Sequence, residues 1–551
     1  MRGRTIVLAA SNSESSEYMK STWRQMLLAT LPTQYARFIS DISVKNEVNP
    51  DGQAKYVPNG LRVVESLLVD HFGEENVAVC YPEQLDLFVG PDTKVVGIHA
   101  HNPLGITFAT DVYAQFYGRD VEPVNATEFR KLILHPALKK HKDHIKIIVG
   151  GPGSWQIEKK NLQDAWGIDC IVDGEAEDVV VELFEAAVRG EQLPRRVECH
   201  SPKLSKIPTI KHRATFGVVE ITRGCGRGCQ FCSVALRAGK SLPLEHIIEN
   251  TRVQVAEGAD TILLTTEDLF LYEQGPRFQT NVPAIKRMLQ AVASVPGVEH
   301  VLLTHGTMAP VVLEPNMIEE LSEVAVNKSL HRHKKSTHPE KRYANLFVGI
   351  ETASVRLFKQ YMKGKCYPFR PEQWPDVILK GMEILNKNNW FPFCTWIVGL
   401  PGETEEDTKE SLELLYALKG SKWCVVPTLF VPLEDTRLED KESAKFVKLT
   451  DLQWEFFFTC WRYNLDFYYD YLHTKLKFAI GIPIYYYLLG RKLFGKGMKY
   501  PLYRLAHFPE RWMRGKLYLD FSSNRPPKYK VPDKVEVPEH RLRPQLPVLT
   551  V

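Results

Sequence analysis

Three cysteines, Cys225, Cys229 and Cys232, stand in the run Glu220-Ile-Thr-Arg-Gly-Cys-Gly-Arg-Gly-Cys-Gln-Phe-Cys232, separated by three and then two residues. Thiolates this close along a chain suit an iron–sulfur cluster, which is normally held by four cysteines. A group that stops at three leaves one iron for a ligand that is not protein. Glycines 224, 226 and 228 let the backbone turn tightly around a bulky group. A structural zinc site would call for a fourth ligand and paired Cys-x-x-Cys spacing. A disulfide is disfavoured by three cysteines in so short a loop. The apolar run 216–221 predicts a strand, so the trio opens a loop at a strand's carboxyl end.

The spacing, with the aromatic Phe231 before the last cysteine, resembles the radical S-adenosylmethionine (SAM) superfamily. The resemblance implies that Cys225, Cys229 and Cys232 hold a 4Fe–4S cluster whose fourth iron chelates the amino and carboxylate groups of SAM. It implies that the reduced cluster cleaves SAM to a 5'-deoxyadenosyl radical. It also implies an electron donor such as ferredoxin or flavodoxin.

The trio must be positioned by the elements that follow. Apolar runs at 216–222, 261–265, 301–304, 346–350, 393–398 and 425–430 alternate with helical stretches such as 244–257 and 405–418. Six such units are fewer than the eight of a closed barrel and match the partial (β/α)6 barrel of the family, here 216–435. Reactive residues of barrels stand at the carboxyl ends of strands. Thr265-Thr-Glu-Asp268 falls where relatives carry Gly-Gly-Glu, so the resemblance implies contact with the methionine amino group at Thr266 and Glu267, although the threonines depart from the pattern. Gly349-Ile-Glu-Thr-Ala-Ser354, Phe358 and Met362-Lys-Gly364 are similar to runs lining the SAM site, with Glu351 placed for ribose or amine. Ile397-Val-Gly-Leu-Pro-Gly-Glu-Thr404 is similar to a run shaping the adenine and ribose pocket, which implies Gly399, Pro401 and Gly402 as pocket formers beside a flat ring. Glu403, Glu405, Glu406 and Asp407 read equally as acids favouring a helix start.

Upstream, strands at 77–80, 95–99 and 145–149 alternate with helices, predicting an α/β, doubly wound, Rossmann-like sheet over 61–190 with ligands outside the strands' carboxyl ends. His99-Ala-His-Asn-Pro-Leu-Gly105 and Gly150-Gly-Pro-Gly-Ser154 stand at those ends. The block resembles the cobalamin-binding-like domain that precedes the cluster motif in one branch of the superfamily. That resemblance implies cobalamin, with Gly150, Gly151 and Gly153 closely approached by the corrin tail and His101 in the pocket. The Asp-x-His-x-x-Gly pattern is absent, so no histidine is expected on cobalt. A glycine turn after a strand serves any Rossmann-like sheet equally. Residues 1–60 read as an N-terminal extension with an opening strand too short for a secretory signal and a helical segment at 18–42. Residues 191–215 read as a proline-bearing, basic linker.

At 551 residues the chain implies about three domains, and 44% hydrophobic with 25% charged residues is a globular composition. A net charge of +4 is too mild to announce a phosphate-binding face, so nucleic acid is not an expected partner. Ten cysteines without a framework read as reduced thiols and a cytoplasmic protein; Cys366, Cys394, Cys424 and Cys460 read as small buried side chains. His331, His333 and His338 fall in a charged stretch that reads as a solvated loop rather than a metal site. Residues 440–523 form an aromatic-rich helical region, dense from Trp454 to Tyr471, with an apolar run at 478–489 flanked by Lys475, Lys477, Arg491, Lys492 and Lys496. That run is shorter than the ~20 residues that cross a bilayer. It reads either as an interfacial element giving peripheral membrane contact or as a buried cap. Residues 524–551, with prolines at 526, 527, 532, 538, 544 and 547, predict an extended tail.

Together these readings lead to an enzyme that modifies an unactivated carbon by methylation, cyclisation or C–C bond formation, on a small-molecule or large lipid-like apolar substrate. The alternatives are an enzyme like the transfer RNA methylthiotransferases, which carry a second cysteine trio and a small basic β-barrel not visible here, and a cluster- or corrin-binding sensor without turnover.

Overall fold

The computed structural model describes residues 3–18, 33, 46–107, 110, 122–332, 342–472, 517–519 and 524–538, with backbone alone at 465–472. The chain forms two compact units: residues 1–219 with 244–262 and 295–298, and residues 220–243 with 263–294 and 299–551.

The first unit is built on β1 (Ile6–Ala9), β2 (Val77–Cys80), β3 (Val95–His99), β4 (Lys146–Gly150), β5 (Cys170–Asp173) and β6 (Arg196–Glu198), in the order β2-β1-β3-β4-β5-β6. All pairings are parallel. Its inner strands are apolar throughout because both faces are covered. Val7, Ala9, Val96 and Ile98 pack with Phe129 and Leu132, whereas Ile6, Leu8 and Val79 pack with Leu61, Leu68 and Phe184. The sheet therefore takes in a strand upstream of residue 61. Ile6-Val-Leu-Ala, buried on both sides, stands between β2 and β3, and the strand order reverses beside it, which is where ligands bind in such sheets.

A buried guanidinium ties this unit together. Arg62, on the helix Asn59–Phe72, donates to the Arg213 carbonyl (2.8 Å) and the Ala54 carbonyl (3.0 Å), and pairs with Glu65 at 2.8 Å. Both charged side chains are almost completely buried.

The remaining strands are β7 (Val218–Glu220), β8 (Thr222–Arg223), β9 (Lys240–Ser241), β10 (Thr261–Thr265), β11 (His300–Leu303), β12 (His305–Gly306), β13 (Phe347–Glu351), β14 (Phe393–Val398) and β15 (Cys424–Leu429). They form two larger sheets, β11-β10-β7 and β12-β13-β14-β15, and a two-stranded clip, β8-β9. The predicted third strand thus splits at Thr304. Its hydroxyl donates to the Leu264 and Thr266 carbonyls and accepts from the Thr266 amide (3.0 Å). Its own carbonyl accepts from the Phe347 amide at 2.7 Å. A side chain thus serves β10 while the backbone serves β13, and the ladder changes partner at one residue.

The predicted strand over 216–222 is also broken. Thr215–Gly217 forms a tight turn with Phe216 at φ 61, which leaves β7 only three residues.

The aromatic run after the barrel is a helix, Asp451–Leu472. Trp454, Phe456, Phe457 and Phe458 are buried, with Phe456 against Trp396 at 5.0 Å between ring centres. Asn464 accepts from the Val425 amide (2.8 Å) and donates to its carbonyl (2.5 Å), fastening the helix to the edge strand β15. Up to Asn464 this region is therefore a cap and not a lipid-facing surface; the run 478–489 and its flanking lysines lie outside the described residues. Among the described residues no helix is long and apolar enough to cross a membrane. The tail over 524–538 is extended and fastened by Arg525 to Glu413 at 2.6 Å.

Arg62→Met strands Glu65 as an unpaired buried charge, which typically costs about 3–5 kcal/mol. Urea unfolding followed by circular dichroism is expected to show that loss, with partial recovery in Arg62→Met/Glu65→Met; unaltered stability in the single variant would refute the role given to Arg62.

Candidate active site

The clip β8-β9 pairs Thr222 with Ser241 and Arg223 with Lys240, closing the cysteine loop at its base. Inside it, the Cys225 amide donates to the Val234 and Arg237 carbonyls (both 3.1 Å) and the Gly228 amide to Ala235 (2.9 Å). Gly224, Gly226 and Gly228 all take positive φ (71, 76 and 74), the region that favours glycine. The Gln230 amide donates to the Tyr361 carbonyl (2.9 Å), and the Gln230 carbonyl accepts from the Arg437 amide (3.0 Å), so the loop is pinned from outside as well.

The three thiols are free; Cys225 and Cys229 are buried, and Cys232 and Phe231 are half-buried. Burial pushes the Cys225 thiol up to about 11 and Cys229 to about 12. They hold their protons at neutral pH and must release them to a metal. Among the described residues no three His, Cys, Asp or Glu side chains converge to hold one ion. Three soft donors spread around a glycine-rich loop suit a polynuclear cluster and not a single zinc.

Beside the thiols lies a buried ion pair that sequence reasoning missed. Lys365 Nζ stands 3.1 Å from Glu351 Oε1, and Thr395 donates to the same carboxylate at 3.2 Å. Burial works against the ammonium charge, but Glu351, Cys229 and Cys232 together outweigh it and hold Lys365 above the ordinary lysine range. Glu351 has φ 67 at a register shift between β13 and β14, a strained conformation of the kind that gathers at functional sites. A Cβ at Gly349 would run into both charged groups. The quoted run Met362-Lys-Gly364 stopped one residue short of this lysine. Its signal was weak, because one lysine among several in that stretch does not announce burial.

The other strand ends are less simple than their motifs. Thr266 is buried, and its hydroxyl bonds Thr222 (2.5 Å) and accepts from the Asp268 amide (3.1 Å), so it is already engaged. Glu267 is half-buried; burial raises its carboxyl pKa, His305 opposes this, and its charge reaches Cys232. Gly399 and Gly402 have φ 81 and 75. The space beside Gly399 is filled by Ala444, whose Cβ would lie 2.6 Å from an added Cβ; clearance for a flat ring is therefore not what that glycine provides. Half-buried Pro401 offers its carbonyl to the Tyr361 hydroxyl (2.7 Å). Glu403 folds back to accept from the Gly399 and Leu400 amides, and burial lifts it to about 7.

In the first unit, a Cβ on Gly151 would approach the Ala100 carbonyl at 2.8 Å, one on Gly153 would run into the His101 carbonyl, and one on Gly150 would touch Val172 at 3.4 Å. The missing side chains at 151 and 153 admit the β3 loop itself, zipped on by Gly153 N to Ala100 O at 2.9 Å. The clearance expected for a corrin tail is taken by the chain. The His101 side chain is exposed, and its amide donates to Glu14 (2.9 Å), which also takes His99 Nδ1 at 2.8 Å. Cys366, Cys394, Cys424 and Cys460 are buried. His331 is stacked on Tyr343, and burial lowers it to about 4; His333 and His338 lie outside the described residues.

Residues 219–415 match the model of the radical SAM superfamily. This is a radical SAM domain. The thiol trio lies inside it, and such domains use a 4Fe–4S cluster and SAM. Threonylcarbamoyladenosine tRNA methylthiotransferase of Xenopus laevis is 26% identical over 269 residues, covering 46% of this chain and 42% of that protein. tRNA-2-methylthio-N(6)-dimethylallyladenosine synthase of Francisella tularensis subsp. holarctica is 24% identical over 338 residues, covering 59% and 70%. In fold, the chain is similar to the radical SAM methyltransferase TsrM of Kitasatospora setae, solved with cobalamin and a 4Fe–4S cluster bound, with TM-score 0.51, 14% identity and coverage of 79% and 74%.

The turn after β14 is anchored by buried Asp407, which accepts from the Thr404 amide (2.8 Å) and hydroxyl (2.6 Å), from Ser354 and from Arg356. Burial alone would raise this carboxyl; the bonds from Arg356, Ser354 and Thr404 outweigh it and hold it at about 2. Its stabilising effect is complete above the unfolded value near 4 and is lost as pH falls through about 2. The stability gap between the wild type and Asp407→Asn, measured by urea unfolding, is therefore expected to shrink by about 2 kcal/mol between pH 5 and pH 2; a gap that does not change with pH would contradict the assignment.

Proposed function

We propose that the chain is a radical SAM enzyme that modifies an unactivated carbon. The observation that carries this is the clipped loop of three free thiols beside the Lys365–Glu351 pair, within the matched domain. When bound, the reduced cluster supplies the electron that cleaves the sulfonium of SAM. Cys225, Cys229 and Cys232 would hold the cluster, and the burial of Cys225 and Cys229 would keep water from it. Glu267, which follows buried Thr266 at the end of β10, would take the methionine amino group. Glu351, at a strained φ and paired with Lys365, would take a ribose hydroxyl or the amine. The turn Gly399–Gly402 borders the nucleoside through its backbone, braced by Glu403.

The finer reading is methyl transfer with cobalamin in the first unit, where the loops after β1 and β3 bring Glu14, His99 and His101 together. It is supported by the likeness in fold to a methyltransferase solved with cobalamin. Cyclisation or coupling of the substrate radical uses the same residues. An apolar substrate is supported by Phe347, 37% exposed, with Phe393 at 5.4 Å and His305 at 5.5 Å between ring centres. The membrane-facing reading of 454–463 lends it nothing, since those aromatics are mostly buried.

A second reading, transfer RNA methylthiolation, is favoured by the names of the sequence relatives. In the first unit Cys80 and Cys170 are buried within β2 and β5, and Cys199 lies just beyond β6, which is not the arrangement of a second trio.

Anaerobic reconstitution is expected to give about four irons per chain, with Cys229→Ala losing them, and the reduced protein is expected to release 5'-deoxyadenosine from SAM. Full iron in the variant, or no release with several reductants, would defeat the proposal. Methylthiolated product from undermodified transfer RNA would move the assignment to the second reading, and a corrin spectrum after expression with cobalamin is expected for the first.

A further inference from the structure

One residue of the cysteine loop has no role in the account above. Arg227 lies between Gly226 and Gly228, two residues from Cys225 and two from Cys229. A long cation in so short a loop would ordinarily reach for solvent. Here its side chain is 1% exposed, and that of its partner Asp268 is fully buried. Asp268 Oδ2 accepts from Arg227 Nε (3.2 Å) and Nη2 (3.0 Å) and from the Thr307 hydroxyl (2.7 Å). The Phe278 ring lies 4.9 Å from the guanidinium carbon. A Cβ at Gly364 would run into the Arg227 carbonyl, so the segment leading to Lys365 packs directly on this residue.

Two of the three guanidinium nitrogens are thus engaged, and the third is not. Nη1 is buried and has no hydrogen-bond partner among the described residues. An unsatisfied buried donor is costly, and more so when charged, so such a group calls for a partner. The Arg227 amide bonds the Cys225 sulfur, and the Arg227 cation lies within electrostatic reach of that thiol. The residue therefore addresses the thiol trio through both backbone and side chain.

We propose that Arg227 is a positioning residue that sets the reduction potential of the cluster: Nη1 donates to the cluster held by Cys225, Cys229 and Cys232, and the buried cation favours the form carrying one more electron. Asp268 aims the fork and tempers its charge. This rests on the cluster reading of the site. Iron content of the wild type tests that reading, whereas potentials among iron-replete variants test this one.

The electrostatic sign is fixed by charge. In a poorly polarisable interior a cation beside a redox centre lowers the energy of the reduced state more than that of the oxidised state. Full-length protein reconstituted anaerobically without SAM is titrated with dithionite and followed by electron paramagnetic resonance. Arg227→Gln is expected to cut the reduced-to-oxidised ratio at a given potential at least tenfold, a shift of about 59 mV to lower potential for a one-electron couple. Asp268→Asn, which keeps the shape and removes the opposing charge, is expected to shift the midpoint upward. A midpoint equal to wild type in iron-replete Arg227→Gln overturns the proposal. Where that variant does not retain iron, an unmoved or lowered midpoint in iron-replete Asp268→Asn overturns it. An arginine serving only to satisfy Asp268 would alter stability and leave both midpoints in place.

Discussion

The Lys365 ammonium and the Glu351 carboxylate, 3.1 Å apart and nearly removed from water, impose a constraint to which the surrounding chain conforms. Neither charge is tolerable in that place without the other, since desolvation of one ion costs several kcal/mol. To bring Glu351 inward, the end of β13 slips register against β14 and adopts positive φ. To leave room for both groups, position 349 must lack a side chain. To saturate the carboxylate, Thr395 turns its hydroxyl toward it from the neighbouring strand. Strain at one residue, absence of a side chain at a second and a hydroxyl at a third are consequences of one ion pair standing beside three thiols.

A similar economy holds on the other side of the loop. Thr304 lets a side chain replace a backbone group so that one strand serves two sheets. Thr266, whose amide donates to the Thr304 hydroxyl, engages Thr222 and the Asp268 amide through its own hydroxyl. Asp268, so placed, holds Arg227. A chain of hydrogen bonds therefore runs from a strand junction through a threonine in a degenerate motif to the cation inside the cysteine loop. Of the two threonines that depart from the Gly-Gly-Glu pattern, Thr266 carries this chain through its hydroxyl, which a glycine could not.

Much of this was legible in the residues, and the parts that were not share a physical cause. β2 and β3 fall where their apolar runs place them, because strands buried on both faces write themselves as unbroken hydrophobic stretches; β10 and β14 also fall on theirs, with burial alternating along each strand. The cysteine spacing identifies the site, since ligand geometry is local in sequence. Arg227 and Lys365 could not be recognised, because a buried cation differs from a solvated one only in its partners, and Asp268 and Glu351 lie 41 and 14 residues away. Phe216 looked like strand and is a turn with positive φ, since aromatic character speaks for burial more than for dihedral angle.

Glycine proved the most ambiguous letter. At Gly226 and Gly228 it meets a conformational need alone, and at Gly153 it leaves space that His101 fills. Gly224, Gly151 and Gly399 do both, joining positive φ to space taken by Ala238, Ala100 and Ala444. This bears on how two kinds of likeness fit one chain. The radical SAM model spans 219–415, the segment that holds the three thiols. Likeness in fold to TsrM extends over 79% of the chain and so takes in much of the rest. Chemistry that is alike is written in the cysteine loop; what distinguishes one such enzyme from another is written in the residues outside it.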